Sequence, residues 1–146
     1  MLMRPLTLTD SEALVALDAL CFGAEAWSLA QITGSLSLST TIGMACMEDN
    51  RIVGFYLAQK TEEETEIQTL GVHPDFCRRG LGRLMLNHIL SNQQKGTVFL
   101  DVAADNCPAR QLYESAGFTI FGTRPAYYQR GPQKVDAVNY RNLVKK

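Results

Sequence analysis

Cys77-Arg78-Arg79-Gly80-Leu81-Gly82-Arg83 separates two different hydrophobic periods. Before it, residues 65–72 read as a strand that ends at Val72, followed by the turn His73-Pro74-Asp75. After it, Leu81, Leu84, Met85, His88 and Ile89 recur at helical spacing. The stretch is therefore a strand-to-helix turn, with the helix beginning near Gly80. A helix start leaves four backbone N–H groups unpaired and carries the positive end of the helix dipole. Glycines there let an anion approach without a Cβ in the way, and Arg78, Arg79 and Arg83 add positive charge. The plainer reading is a tight loop whose glycines serve only to turn. A nucleoside-triphosphate loop needs Gly-Lys-Ser/Thr, but Gly82 is followed by Arg83-Leu84. A dinucleotide site needs a third glycine where Met85 stands, and a larger doubly wound sheet than this chain can build.

Working outward, residues 2–6 form a short extended start, and Thr9-Asp10-Ser11-Glu12 offers a helix cap. Ala13, Leu14, Leu17, Leu20 and Cys21 then recur at helical spacing. Ser28 caps a second short helix that stops by Gly34. Residues 41–47 and 52–59 are strands joined by the turn Glu48-Asp49-Asn50-Arg51. Gly96 ends the connection after the central helix, and Thr97–Val102 is a buried strand. Asn106 caps a helix that presents Ala109, Leu112, Tyr113 and Ala116 on one side and stops at Gly117. Strands at 118–123 and 135–143 finish the order β-α-α-β-β-β-α-β-α-β-β. This predicts an α/β (α+β) single domain over residues 1–146, with a mixed, mostly antiparallel sheet and helices on both faces.

Composition narrows the function. Hydrophobic residues make up 46% and charged residues 20% of 146, close to the globular average, which excludes disordered and fibrous chains. No apolar run approaches the ~20 residues of a bilayer span, and Met1–Pro5 lacks the apolar core of a secretory signal. The expected setting is cytoplasmic, without a membrane. Net charge −1 and pI about 6.1 argue against direct nucleic-acid binding. The charge is uneven: residues 124–146 hold six basic side chains against Asp136 alone, net +5. That end is either a solvated edge or a steering element. Cys21, Cys46, Cys77 and Cys107 show no close pairing, and His73 and His88 are distant in sequence, so neither a metal nor a disulfide framework is expected.

Cys77–Gly82 resembles the Arg/Gln-x-x-Gly-x-Gly/Ala signature of the GNAT superfamily of N-acetyltransferases. The strand Ile67–Val72 before His73-Pro74-Asp75, and Leu112-Tyr113 leading to Gly117-Phe118, resemble two further motifs of that superfamily. Ala26-Trp27-Ser28, Leu100-Asp101-Val102 with Asn106, and Ala126-Tyr127-Tyr128 are similar to the bacterial ribosomal-protein alanine N-acetyltransferase (RimI) group. The resemblance implies acetyl transfer from acetyl-coenzyme A to the N-terminal amine of a small-subunit ribosomal protein. It departs from the pattern at Cys77, where Arg or Gln is usual, and at Asp101, where the group carries Glu as general base.

On that resemblance the coenzyme contacts are Leu70, Gly71, Val72, Arg78, Arg79, Gly80, Leu81, Gly82, Arg83 and Asn106. A bulge at Gly71 would free N–H groups, with the Val72 amide receiving the thioester oxygen. Tyr113 is the candidate acid for the departing thiolate; its other reading is a core tyrosine. The base is Asp101, Glu66 or a chain of water. Trp27 either packs in the core or walls the peptide groove, which Tyr127 and Tyr128 would cover. The alternatives are transfer to a small-molecule amine and a coenzyme-binding domain without catalysis.

Overall fold

The computed structural model describes residues 2–145. Lys146, counted above in the basic end, lies outside the described residues. Strand β1 (Leu2–Pro5) leads into helix α1 (Ser11–Phe22). The Asp10 carboxylate accepts the Thr7 N–H at 2.9 Å and grips Arg4 through both guanidinium nitrogens, each at 2.9 Å. That pair fastens the first strand to the first helix. Helix α2 (Leu29–Leu36) opens on a capping box, in which Ser28 accepts the Gln31 N–H at 3.2 Å and Gln31 accepts the Ser28 N–H at 2.8 Å. It runs two residues past Gly34, because an exposed glycine costs a helix only about 1 kcal/mol.

Strands β2 (Thr41–Glu48), β3 (Arg51–Lys60) and β4 (Glu64–Val72) form an antiparallel meander. Asp49 and Asn50 turn the first hairpin at φ 51° and 62°, the left-handed pair of a type I′ turn. Helix α3 (Leu81–Asn92) crosses to β5 (Lys95–Ala103), and α4 (Cys107–Ser115) leads to β6 (Thr119–Arg130) and β7 (Gln133–Lys145). The sheet order is β1-β2-β3-β4-β5-β7-β6, antiparallel except for β4 beside β5. One apolar cluster packs α3 and α4 on the sheet through Met85, Leu86, Ile89 and Tyr113. A second packs α1 and α2 on the other face through Leu14, Leu17, Ile32, Phe55 and Leu57. The expected class and order are thus the observed ones, with helices on both faces.

Strand β6 differs from its expected limits. It continues from 123 to Arg130 despite Pro125, with register breaks at Ile120/Gly122 and Arg124/Tyr128. An edge strand tolerates proline because its outer N–H needs no partner. Ala126 sits at φ 54°, and its N–H donates to Asp136 at 2.8 Å.

The β4–β5 ladder is short. It runs from Glu64 opposite Thr97 to Ile67 opposite Leu100, and then stops. Beyond it β4 stays paired with β3 as far as Val72, while β5 stays paired with β7 as far as Ala103. The two strands therefore part company from Gln68 onward. The bulge expected at Gly71 lies instead at Gln68, opposite the Leu57–Ala58 step of β3, and Gly71 pairs regularly with Phe55. The extra residue is held by its side chain, which accepts from Ser35 at 3.1 Å and Gln59 at 3.3 Å. Gly71 has a packing role: a Cβ there would meet Cys21 Sγ at 3.0 Å.

The near end of the ladder depends on Gly96. Its φ is +139°, and a Cβ would stand 1.8 Å from the Glu63 carbonyl oxygen. Gly96→Ala should therefore destabilise the protein by about 1–3 kcal/mol. Urea unfolding checks this; an unchanged midpoint would contradict the close approach.

Candidate active site

The N-terminus of α3 is open. Leu84 N–H is the first to bond into the helix, to Gly80 at 2.9 Å, and the N–H groups of Leu81, Gly82 and Arg83 have no partner among the described residues. Gly80 caps the helix at φ 80°, with nothing within 4 Å of where its Cβ would stand. Arg78 also has a positive φ, 65°, so two left-handed residues, Arg78 and Gly80, turn the chain just before the helix. Gly82 serves packing as well: a Cβ would lie 2.7 Å from Leu112 of α4.

The three arginines part ways. Arg78 and Arg83 line the cleft. Arg83 also reaches the Ser115 side chain at the end of α4. Arg79 turns aside, with its guanidinium 4.8 Å over the Phe76 ring and 3.8 Å from Glu48. Its side chain does not join the cleft lining.

Along β4 the His73 N–H donates to Val53 at 2.8 Å. Antiparallel alternation then places Gly71 and Thr69 in hydrogen-bonded pairs with Phe55 and Leu57. It turns the N–H and C=O groups of Leu70 and Val72 toward the side that β5 has vacated. The Val72 carbonyl accepts the Cys21 thiol at 3.3 Å, as this orientation requires. Burial pushes that thiol up to about 11, so Cys21 stays a neutral donor. The exposed Cys77 thiol approaches the His73 carbonyl at 3.7 Å.

The splayed strands open into a cleft of about 720 Å³. Leu70, Gly71, Val72, Arg78, Gly80, Leu81, Gly82, Arg83, Asp101, Asn106 and Tyr113 all line it. Asn106 caps α4 by accepting the Ala109 N–H at 3.3 Å. Asp101 accepts a hydrogen bond from Asn139 and lies 3.8 Å from Arg124, with 32% of its side chain exposed. Glu66 is exposed and lies outside the cleft lining, paired in register between Gln59 and Phe99. Tyr113 is 7% exposed, stacked edge-on to Phe118 at 5.9 Å. Its hydroxyl has no protein partner among the described residues. Burial, with a smaller contribution from nearby Tyr128, holds it well above the usual tyrosine range.

Trp27, Glu25, Asp18 and Tyr128 also line it. Tyr127 packs edge-on against Tyr128 at 5.0 Å and stays exposed. Burial, aided by Asp101, pushes Tyr128 up to about 12. Trp27 answers both readings, since it packs against the α1–α2 core and lines the cleft. Asp18 and Glu25 were not singled out by sequence reasoning. The available signal for Asp18 was an acid on the apolar stripe of α1, between Leu14, Leu17 and Cys21.

The basic end of the chain is partly an intramolecular clasp. Arg130 bonds Glu25 at 2.5 Å and also Asp105, while Arg124 faces Asp101. The β6–β7 hairpin is thereby tied across the cleft to the segment after α1 and to the β5–α4 loop. No cluster of potential metal ligands occurs among the described residues, and no helix among them is long and apolar enough to cross a membrane.

Comparison with known proteins places this geometry. The model of the acetyltransferase (GNAT) family matches residues 16–118. The ribosomal protein bS18-alanine N-acetyltransferase of Salmonella typhimurium is 38% identical over 93 residues, which is 62% of this chain. The match spans 63% of that relative, under two thirds of its length. The N-alpha-acetyltransferase RimI of Mycobacterium tuberculosis is 32% identical over 129 residues, 85% of this chain and 82% of that protein. The crystal structure of the ribosomal-protein-S18-alanine N-acetyltransferase from Escherichia coli superposes with a TM-score of 0.91 at 25% identity, covering 99% of this chain and 94% of that one.

The clasp gives a direct expectation. Arg130→Ala should speed amide hydrogen exchange at the β6–β7 hairpin and around Glu25 while leaving α3 protected. Unaltered exchange at the hairpin would show that the ion pairs do not hold it.

Proposed function

This chain belongs to the acetyltransferase (GNAT) family, and from that premise we propose that it acetylates the N-terminal α-amine of a ribosomal protein, alanine first, using acetyl-coenzyme A. The observation that carries the reading is the parting of β4 and β5, which leaves two N–H groups free in a cleft that the open helix mouth, Asp101 and Tyr113 also line. Similarity to ribosomal-protein alanine N-acetyltransferases supports this choice of acceptor.

The residues present suit the coenzyme. Three unpaired N–H groups at Leu81, Gly82 and Arg83, with Arg78 beside them, match a diphosphate in charge and hydrogen bonding. The N–H groups of Leu70 and Val72 are fixed donors for the pantetheine arm and for the thioester oxygen. Because they are already oriented, they stabilise the charge that develops there without reorganising. The Asn106 amide also lines the path of the arm.

Only the unprotonated amine attacks. An α-amine has pKa ~7.7–8.0 against ~10.4 for lysine, so at neutral pH roughly a tenth of N-termini are already free base. Asp101 therefore has modest work. Its side chain is one methylene shorter than glutamate, and a water bridging carboxylate and amine restores the reach. Glu66, outside the cleft lining, is the poorer candidate. Attack forms the amide bond as the carbon–sulfur bond breaks, and Tyr113 donates to the leaving sulfur. Between unperturbed groups, full transfer of the tyrosine proton is uphill by roughly 2 kcal/mol. Burial of Tyr113 makes it steeper, so the hydroxyl acts chiefly as a hydrogen-bond donor to the departing sulfur. Glu25 and Asp101 line the cleft and offer carboxylate oxygens as hydrogen-bond acceptors for the incoming amine.

Purified protein with acetyl-coenzyme A should acetylate an alanine-starting peptide from a small-subunit ribosomal protein, read by mass spectrometry. Turnover on small amines with none on the peptide would overturn the ribosomal reading, and ligand binding with no turnover on any acceptor would leave only a binding domain. Asp101→Ala and Tyr113→Phe should each lower kcat on the order of a hundredfold with little change in coenzyme affinity. Gly80→Asp should abolish coenzyme binding by setting a carboxylate against phosphate.

The pH profile has a defined shape. The rate should climb through pH 7–8 as the acceptor amine loses its proton. It should show no fall near pH 10, because burial disfavours the Tyr113 phenolate and keeps the hydroxyl protonated there. A descending limb near pH 10 that Tyr113→Phe abolishes would contradict the upward shift that burial gives this hydroxyl.

A further inference from the structure

Asp18 is fully buried, at 0% exposure, in a helix stripe otherwise made of Leu14, Leu17 and Cys21. An ionised carboxylate in such a place is costly unless its oxygens are bonded. Both are used. One accepts the backbone N–H of Trp27 at 2.7 Å, and the other accepts the Thr69 hydroxyl at 3.0 Å. Trp27 lies on the α1–α2 connection and lines the cleft. Thr69 lies on β4, immediately before the free N–H of Leu70. One side chain thus joins a wall of the cleft to the strand that carries the oxyanion donors.

The charge itself does not recommend Asp18 as a stability device. Burial raises its pKa in the folded protein, outweighing the two hydrogen bonds. Between the unfolded and folded values the native state then binds more protons, so stability falls as pH rises through that window. An asparagine could make both bonds without the charge, since its oxygen accepts from Trp27 and its NH₂ donates to the Thr69 oxygen. What either side chain provides is a fixed distance between Trp27 and β4. Trp27 needs such a tie, because it follows the 3₁₀ turn Gly23–Glu25 and precedes α2 by a single cap residue, Ser28.

We propose that Asp18 is a positioning residue for the acceptor: its carboxylate holds the Trp27 wall against β4, so that the incoming amine meets the thioester at the right separation. The inference rests on reading the cleft as an acetyl-transfer site. It goes further by assigning acceptor binding, as distinct from coenzyme binding, to a residue whose two carboxylate oxygens are both bonded to the protein itself.

The test uses three variants and two independent readouts. Asp18→Ala removes both bonds, Thr69→Val removes only the β4 half, and Asp18→Asn keeps both. With the alanine-starting peptide, Asp18→Ala should raise the peptide KM on the order of tenfold or more, since small misplacements are expensive in rate and binding. Thr69→Val should raise it less, Asp18→Asn should restore it, and the KM for acetyl-coenzyme A should hold in all three. The second readout needs no activity. Trp27 is the one tryptophan, so its emission and its quenching by acrylamide report the wall directly. Asp18→Ala should red-shift the emission and increase quenching, while Asp18→Asn should match the parent. An unchanged peptide KM and unchanged emission in Asp18→Ala would overturn the proposal, as would an Asp18→Asn that behaves like Asp18→Ala. A parent protein inactive on every amine would instead strike the functional reading, and the Trp27 emission would still decide whether Asp18 positions the wall.

Discussion

Everything in this molecule follows from a ladder that ends early. Two parallel strands pair over Glu64–Ile67 and Thr97–Leu100 and then separate, because each has a stronger commitment elsewhere. β4 is bound into the meander through β3, and β5 into the antiparallel ladder with β7. A sheet that opens in its middle would ordinarily strand polar backbone in the core. Here α3 and α4 cover one face, α1 and α2 the other, and the gap becomes a cleft lined by main-chain donors. The bulge at Gln68 supports this arrangement. It shifts the parity of β4, so that Thr65 and Ile67 below it and Leu70 and Val72 above it turn to the α3 face.

Electrostatics then divide the cleft by chemistry. The helix mouth offers unpaired N–H groups with Arg78 and Arg83, suited to phosphate. Glu25 and Asp101 come from the turn after α1 and from β5, and their carboxylates suit an amine. The uneven charge along the chain takes on a structural meaning here. Arg124 and Arg130 of the basic end return to Asp101, Glu25 and Asp105 of the acidic body, so part of the imbalance is spent holding a hairpin across the cleft.

Much of this was legible before any coordinates. Element order could be read because the periods change cleanly, from alternation in residues 65–72 to helical spacing after Gly80. The start of α3 was legible for the same reason, since Gly80 falls where the strand period stops and the helical one begins. The bulge was misplaced at Gly71 because a glycine in a strand suggests a backbone irregularity, whereas this one makes room for Cys21 from a distant helix. Such a contact has no local signature. Arg79 shows the same limit: charge and position put it with its neighbours, but Phe76 and Glu48 draw its side chain away. Pro125 hid the length of β6, because only the sheet order reveals that its outer edge is unpaired. Asp18 was overlooked for want of a partner, since Trp27 N–H and Thr69 are nine and fifty-one residues distant.

The central claim is that particular main-chain amides, freed by the parting strands and by the start of α3, grip the coenzyme. Backbone-amide NMR during titration with acetyl-coenzyme A addresses it most directly. The account predicts that the N–H resonances of Leu70, Val72, Leu81, Gly82 and Arg83 move downfield together and further than the rest. Saturable binding that leaves those five unmoved, with the changes centred elsewhere on the sheet, would contradict it.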